Sequence, residues 1–223
     1  EAVSKGARAS DYCLFQTGMI QGIKGDMKGK AATMAQLTAK YPKSGYSADA
    51  LYERGTALMA MDKNQEAEEL FRKVLRDHPQ SEYAKKAMMK HALVQYNQKN
   101  DEQALSLYKD VVKKYPGSPE AAEALTGIRN IYVAAGNPQG YFDYAKTVPA
   151  MSISNSAQDS ITYEAAEQLY LKGNHESASR SFEEYLKRLQ SASENYLKKM
   201  LQVKTLMLEM GGVFKVLIQK KGV

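Results

Sequence analysis

The sequence of 223 residues contains no tryptophan, a single cysteine, three histidines and six prolines. With Cys13 as the only thiol, no intrachain disulfide can form, so the fold rests on packing and the redox compartment leaves no trace. His78, His91 and His175 belong to no HExxH, HxH or Cys/His cluster, which argues against a bound metal and against a histidine-based triad. No run of about 18 apolar residues occurs, so no segment reads as a transmembrane helix. There is also no GxxxxGK[ST] loop to cradle a phosphate. Glu66, Glu68 and Glu69 resemble an acid/base set, but they open a helix, where negative charge favours the helix dipole. The expectation is a non-enzyme without metal or cofactor.

The net charge of +6 raises the question of nucleic acid, and its distribution answers it. Residues 1–46 carry +4, 47–83 carry −3, 84–120 carry +3, 121–157 carry 0, 158–196 carry −3 and 197–223 carry +5. A phosphate backbone demands a continuous basic track, and the acidic stretches interrupt any such track. Lys and Glu solvating outward helix faces account for the pattern.

What the sequence does have is a period. Tyr41-Pro42-Lys43-Ser44, His78-Pro79-Gln80-Ser81 and Tyr115-Pro116-Gly117-Ser118 recur at 37 residues. So do the turns Gly25-Asp26, Asp62-Lys63, Lys99-Asn100, Gly136-Asn137 and Gly173-Asn174. Periods of about 20 to 50 residues signify stacked repeats. Between these marks Leu51, Leu58, Ala67, Phe71 and Val74 fall at helical spacing on both sides of a turn, so each repeat reads as two antiparallel helices. Helix A ends at the Gly/Asn/Asp turn, and helix B ends before the proline, which lacks an N–H and clashes with the preceding turn. The Ser after each proline, or Ser47 and Ser118 nearby, is expected to cap the next helix A.

Small residues stand where paired helices approach: Gly18, Gly55, Ala92 and Ala166 in helix A, and Ala67, Ala104 and Ala178 in helix B. Larger ones fill the next layer, with Phe71, Tyr108 and Phe182 at one position and Leu51, Met88 and Leu125 at another. Cys13 shares the register of Ala50, Ala87 and Ala124, which predicts a buried structural thiol.

The run Leu51, Gly55, Leu58, Ala67, Phe71, Pro79 resembles the tetratricopeptide repeat, lengthened by three residues after the proline. The 37-residue variant, with its Tyr-Pro-x-Ser-x-Tyr-Ala junction, is similar to tetratricopeptide repeat proteins of the Gram-negative cell envelope. The resemblance covers about residues 10–212 and implies an all-α, right-handed α-solenoid of antiparallel helix pairs. It sets one domain with repeats at about 10–46, 47–83, 84–120, 121–157 and 158–194 and a partial sixth at 195–223. The pattern departs at Lys30 in place of Ala, at Tyr141 with no proline at the fourth junction, and at Leu189-Gln190 in place of Tyr-Pro.

The resemblance also implies what the chain does. Stacked A helices line an inner groove, and the positions facing it are Phe15, Tyr52, Met89, Thr126 and Tyr163 in one row. Gly22, Met59, Tyr96, Val133 and Tyr170 form a second row, and Met19, Thr56, Leu93, Asn130 and Glu167 a third. Tyr and Met give large contact area at modest entropic cost, so Phe15, Tyr52, Met59, Met89, Tyr96, Tyr163 and Tyr170 are the candidate binding residues. Tyrosines of helix A could equally pack on the neighbouring repeat, and both readings stay open. The carboxylate clamp known in other tetratricopeptide repeats needs Lys and Asn where this chain has Tyr52 and Thr56, and Asn where it has Lys90, so the clamp is absent.

The expected function is a non-catalytic scaffold that binds a protein or peptide partner, in the periplasm or associated with the cell envelope. Alternatives are the repeat arm of a larger enzyme or secretion machine, and a glycan-binding module, which the lack of Trp weakens. The sequence leaves the oligomeric state open. It begins Glu1-Ala2 without an n-region or h-region, so any export signal is expected to have been removed or never present. The sixth unit places Tyr196, Met200, Val203, Leu206 and Met207 in helical period and ends with the apolar run from Val213 to Ile218, which reads as a capping helix or a segment cut within a repeat.

Overall fold

Five backbone positions with positive φ recur at intervals of 37 and set the frame of the molecule: Gly25, Asp62, Lys99, Gly136 and Gly173, with φ of 80°, 58°, 64°, 68° and 76°. At each, the left-handed residue donates to the carbonyl three residues back, and the next residue donates to the carbonyl five back. Lys99 N bonds Tyr96 O and Asn100 N bonds Gln95 O, as Gly136 N bonds Val133 O and Asn137 N bonds Tyr132 O. These are Schellman caps, in which the reversed residue satisfies the last carbonyls of a helix and turns the chain back. The residue after each then opens the following helix.

In this computed structural model residues 2–190, Val203 and Thr205 are described, with side chains from Ser10 to Lys187 and at the two isolated positions. Their regular structure is helical: α1 Ala2–Ile23, α2 Met27–Lys40, α3 Ser47–Met59, α4 Asn64–Asp77, α5 Glu82–Asn97, α6 Asp101–Lys114, α7 Pro119–Ala134, α8 Pro138–Thr147, α9 Asn155–Leu171 and α10 His175–Gln190. Among the described residues there is no strand and no helix long and apolar enough to cross a membrane. The fold class is the expected all-α solenoid of helix pairs.

The chain divides into two compact units, residues 1–127 and 128–223. In the first, each helix from α1 to α5 packs on its successor, and α3 also meets α5. Met34 and Leu37 of α2 cover Ala50 of α3, and Leu70, Phe71 and Val74 of α4 join Leu51, Leu58, Ala87 and Val94 of α3 and α5. In the second, α9 packs on α8 and α10. Its core gathers Ala166, Ala178, Phe182, Tyr185 and Val203. Val203 is fully buried there and Thr205 is exposed, while the other residues of the proposed sixth repeat, including Tyr196, Met200, Leu206, Met207 and the run from Val213 to Ile218, lie outside the described residues.

The B helices end at Tyr41, His78 and Tyr115, whose φ/ψ of −130°/63°, −134°/50° and −128°/53° are nearly superimposable. In each, Ser44, Ser81 or Ser118 donates its N–H back across the proline to the aromatic residue's carbonyl. Ser118 caps α7 by accepting from Ala121 N at 3.1 Å. The other expected serine caps do not form. Ser47 lies inside α3 and donates to Pro42 O at 3.2 Å, and Ser81 makes no cap bond. At the first junction Ser44 is engaged elsewhere, donating to Asp11 Oδ2 at 2.6 Å.

The fourth junction does contain a proline, contrary to the sequence reading. Helix α8 has 10 residues where α2, α4 and α6 have 14, so its end falls at Val148-Pro149, one turn early. Met151 N closes the turn on Val148 O at 3.2 Å, with Ala150 at φ 60°. Pro followed by a residue of positive φ is a type II turn, the same arrangement as Pro116-Gly117. Ser154 then caps α9 by accepting from Ala157 N, and the register of 37 is recovered.

Two other departures find a reason in packing. Lys30 replaces the small residue of helix B because Gly22 of α1 leaves room. A Cβ on Gly22 would come within 2.8 Å of Lys30 Cδ, and the ammonium reaches across to pair with Glu53 of α3. Tyr141 replaces Ala in α8 while Ala145 replaces the ring that Phe71, Tyr108 and Phe182 supply elsewhere, so large and small exchange places along one helix. Both Tyr141 and Ala145 are buried.

Cys13 is exposed, which corrects the expected buried thiol. Ala50, Ala87 and Ala124 at the same register are fully buried because helix B of the preceding repeat covers them, as Met34 and Leu37 cover Ala50. Among the described elements α1 packs chiefly on α2, and Cys13 shares its open side with Ile20, which is 50% exposed.

Candidate functional site

The A helices of the first unit carry Phe15, Tyr52, Met59, Met89 and Tyr96. Each tyrosine there is half-buried, so part of it packs and part meets solvent. Tyr52 leans on Phe71 at 5.9 Å between ring centroids and on Tyr83 at 5.3 Å. Phe15 stacks on Tyr46 at 5.0 Å. Met59 packs against the cluster around Phe71 and is half-buried. Met89 is 3% exposed and offers no surface in this conformation, because its side of α5 turns inward where helix A meets helix A.

In the second unit Tyr163 meets Phe182 and Tyr185 edge-on, each at 5.6 Å, and Tyr170 lies 5.4 Å from the His175 ring. Both are half-buried. Rings of this kind are held rigidly on one side, which lowers the entropy lost when the other side is covered.

Around Tyr52 the structure assembles charges that the sequence reading did not single out. Tyr83 donates to Asp49, and Asp49 and Glu53 of α3, Glu82 of α5 and Glu120 and Glu123 of α7 share the field of the two phenols. Burial first, then Glu53, Glu123, Tyr83 and Glu120, pushes the Tyr52 phenol up to about 12. Burial and then Asp49, Glu53 and Glu82 push Tyr83 to about 12 as well. The Asp49 carboxyl is raised too, by desolvation and then by Glu82 and Glu53, with its own backbone N–H and Lys86 acting against the shift. Both phenols therefore stay protonated donors across the ordinary pH range. Lys30 neutralises part of this set through Glu53, and Lys85 approaches Glu120 at 3.7 Å. The signal available in sequence was the acidic balance of residues 47–83; what it lacked was that α3, α5 and α7 converge.

A second polar group sits between α4 and α5. His91 Nε2 lies 3.2 Å from Glu68 Oε1, Gln95 donates to Glu68 Oε2 at 2.8 Å, and Asn100 donates to Gln95 Oε1 at 3.0 Å. Desolvation holds the His91 imidazole below its usual pKa despite Glu68. This chain of side chains locks two helices together. Among the described residues no group of three or more His, Cys, Asp or Glu is placed to hold a metal ion.

Residues 52–119 match the tetratricopeptide repeat family. The tetratricopeptide fold extends beyond that segment. A tetratricopeptide repeat protein from Parabacteroides merdae superposes with a TM-score of 0.57 at 19% identity, over 82% of this chain and 68% of that one. MamA of Desulfovibrio magneticus, from position 41 to its end, gives 0.55 at 16% identity over 82% and 97% of the two chains. A further MamA structure gives 0.54 at 14% identity over 81% and 92%. No curated protein matches the chain in sequence.

Proposed function

We propose that this chain is a non-catalytic tetratricopeptide repeat scaffold that holds a partner polypeptide against the tyrosine-bearing face of its A helices. The observation that supports this most strongly is Tyr52. Its ring is fixed by Phe71 and Tyr83, its phenol is kept protonated, and five carboxylates from three helices act on it and on its neighbour Tyr83. A segment that fits this face combines an apolar or aromatic contact with Lys or Arg residues, since charges of opposite sign set register and raise the association rate. Placement in the bacterial envelope, suggested by the Tyr-Pro-x-Ser-x-Tyr-Ala junction, is part of the same proposal.

The test compares proteins captured from envelope and cytosolic extracts by three immobilised forms: the natural chain, the Tyr52→Ala, Tyr96→Ala, Tyr163→Ala triple variant, and Glu123→Lys. Glu123 is exposed, so its reversal leaves packing intact. A partner lost from both variants, and lost from the natural chain at high salt, supports the proposal. Recovery of the same partner by correctly folded variants would sink it, and capture from cytosol alone would sink the envelope placement.

A further inference from the structure

The second unit contains a recess of about 420 Å³ beside the shortened helix α8, lined by Gln139, Phe142, Ala145, Met151, Ile153 and Ser152, with Lys146 and Gln158 at its margin. Its volume falls within the range of about 300 to 1,000 Å³ usual for small-ligand pockets. Its cause is visible in the register. In the second and third repeats two positions carry rings, one inside helix B (Phe71, Tyr108) and one at its end (His78, Tyr115); Phe182 keeps the first ring in the fifth repeat and Tyr41 the second in the first. In the fourth repeat these positions are Ala145 and Ser152, and both line the recess.

Tyr141 restores some of the missing volume one turn earlier, but α8 stops at Thr147 and the chain crosses to α9 through Pro149 and Ala150. The floor that remains is apolar, with Phe142 at 5% and Ala145 at 3% exposure, and Met151 and Ile153 form its wall. Methionine beside a ring-sized gap is a favourable neighbour for an aromatic group. Charge at the rim is already matched. Lys146 and Gln139 both donate to Asp143, each at 2.8 Å, so the recess offers no unbalanced cation to an anion. The Gln158 amide is turned to Ile153 O at 3.0 Å and pins the wall in place. Ala150 is held at φ 60°, a conformation unfavourable for a residue with a Cβ, and it keeps Met151 and Ser152 out of the helical path that would close the gap.

We infer that this recess is a seat for one neutral aromatic side chain, Phe or Tyr, presented by a partner polypeptide. The incoming ring takes the place that Phe71, Tyr108 and Phe182 hold in the second, third and fifth repeats. The site is separate from the Tyr52 face, so failure of either idea leaves the other standing.

The experiment is a titration of the whole chain, carrying labelled Met, Ala and Ile methyls, with p-cresol and with N-acetyltyrosine amide, followed by NMR. Saturable shifts at Met151, Ala145 and Ile153 are expected, with tert-butanol at equal concentration producing none that saturate. Ser152→Tyr, on the exposed rim, fills the seat from within and is expected to weaken p-cresol binding at least tenfold. Ala145→Phe fills it from the floor and serves as the second variant if the first perturbs the fold. Absence of saturable shifts in the natural chain overturns the inference. So does undiminished binding in whichever filled variant retains the natural methyl spectrum elsewhere.

Discussion

Phe71 lies so close to the backbone of Gly55 that a Cβ on Gly55 would fall 2.6 Å from its Cε1 and 2.9 Å from its Cζ. The ring is fully buried among Leu51, Leu58, Leu70 and Val74 and has nowhere to retreat. Gly55→Ala gains about 1 kcal/mol of helix propensity but incurs about 1 to 3 kcal/mol of overpacking. The net expectation is a loss of stability, read from urea unfolding. Gly22→Ala makes the contrast: the atom met at 2.8 Å is Cδ of a lysine, a flexible neighbour, so the variant should be neutral or slightly more stable. If Gly55→Ala is the more stable of the two, the packing argument fails.

Lys99 and Gly136 occupy the same αL cap one period apart, and replacements should act there with opposite signs. Lys99→Gly relieves a conformation costly to a residue with a Cβ and should raise stability by about 0.5 to 1 kcal/mol. Gly136→Ala imposes that conformation and drives its Cβ to 2.6 Å from Leu169 Cγ, and should lower stability by about 2 kcal/mol or more. Thermal unfolding of both variants is the check; equal shifts in one direction would contradict the cap assignment.

The residue after each αL cap opens a helix B, and only some side chains serve it. Asn137 accepts from Gly140 N at 2.9 Å and Asp26 from Gly29 N at 2.7 Å, whereas Lys63 makes no such bond. Asn137→Ala should cost about 1 kcal/mol, and Lys63→Asp, which creates a capping box with Glu66, should gain about 0.5 to 1 kcal/mol. The Lys63–Glu66 ion pair it removes is exposed and worth little. Chemical denaturation midpoints decide between gain and loss.

His91 should make stability fall on mild acidification. Its folded pKa lies below the ordinary imidazole value of 6.5, chiefly through desolvation, so the unfolded chain binds the proton first. The contribution is present in full above the unfolded pKa and is lost as pH falls through it toward the folded value. His91→Gln should flatten the stability profile in the window just below pH 6.5, measured by urea unfolding at successive pH values. An unchanged slope in the variant would show that another group carries it.

Much of the fold was legible before any coordinate, and Lys99 shows why. A reversed residue after a helix, followed by a helix-opening polar residue, is a local backbone requirement that Gly-Asp, Asp-Lys, Lys-Asn and Gly-Asn each meet at intervals of 37. The aromatic-proline junction is equally local, since proline itself forbids the helix to continue. The fourth junction was missed because its register slips by one turn within α8, and a fixed period looks for Pro149 in the wrong place.

The candidate site was legible only in part. Tyr52, Tyr96, Tyr163 and Tyr170 stand on the expected helices, but the period alone does not give the orientation of each side chain relative to its neighbours. Met89 turned inward, Cys13 turned outward, and Tyr83 joined Tyr52 from helix α5.

The sequence by itself determined where helices begin and end, because caps, prolines and αL turns act through bonds within a few residues. Only the tertiary structure decided which rings are half open, which carboxylates share one field, and that an alanine and a serine 7 positions apart line one recess. Burial, desolvation and charge coupling depend on helices separated by a whole repeat, and no local pattern encodes them.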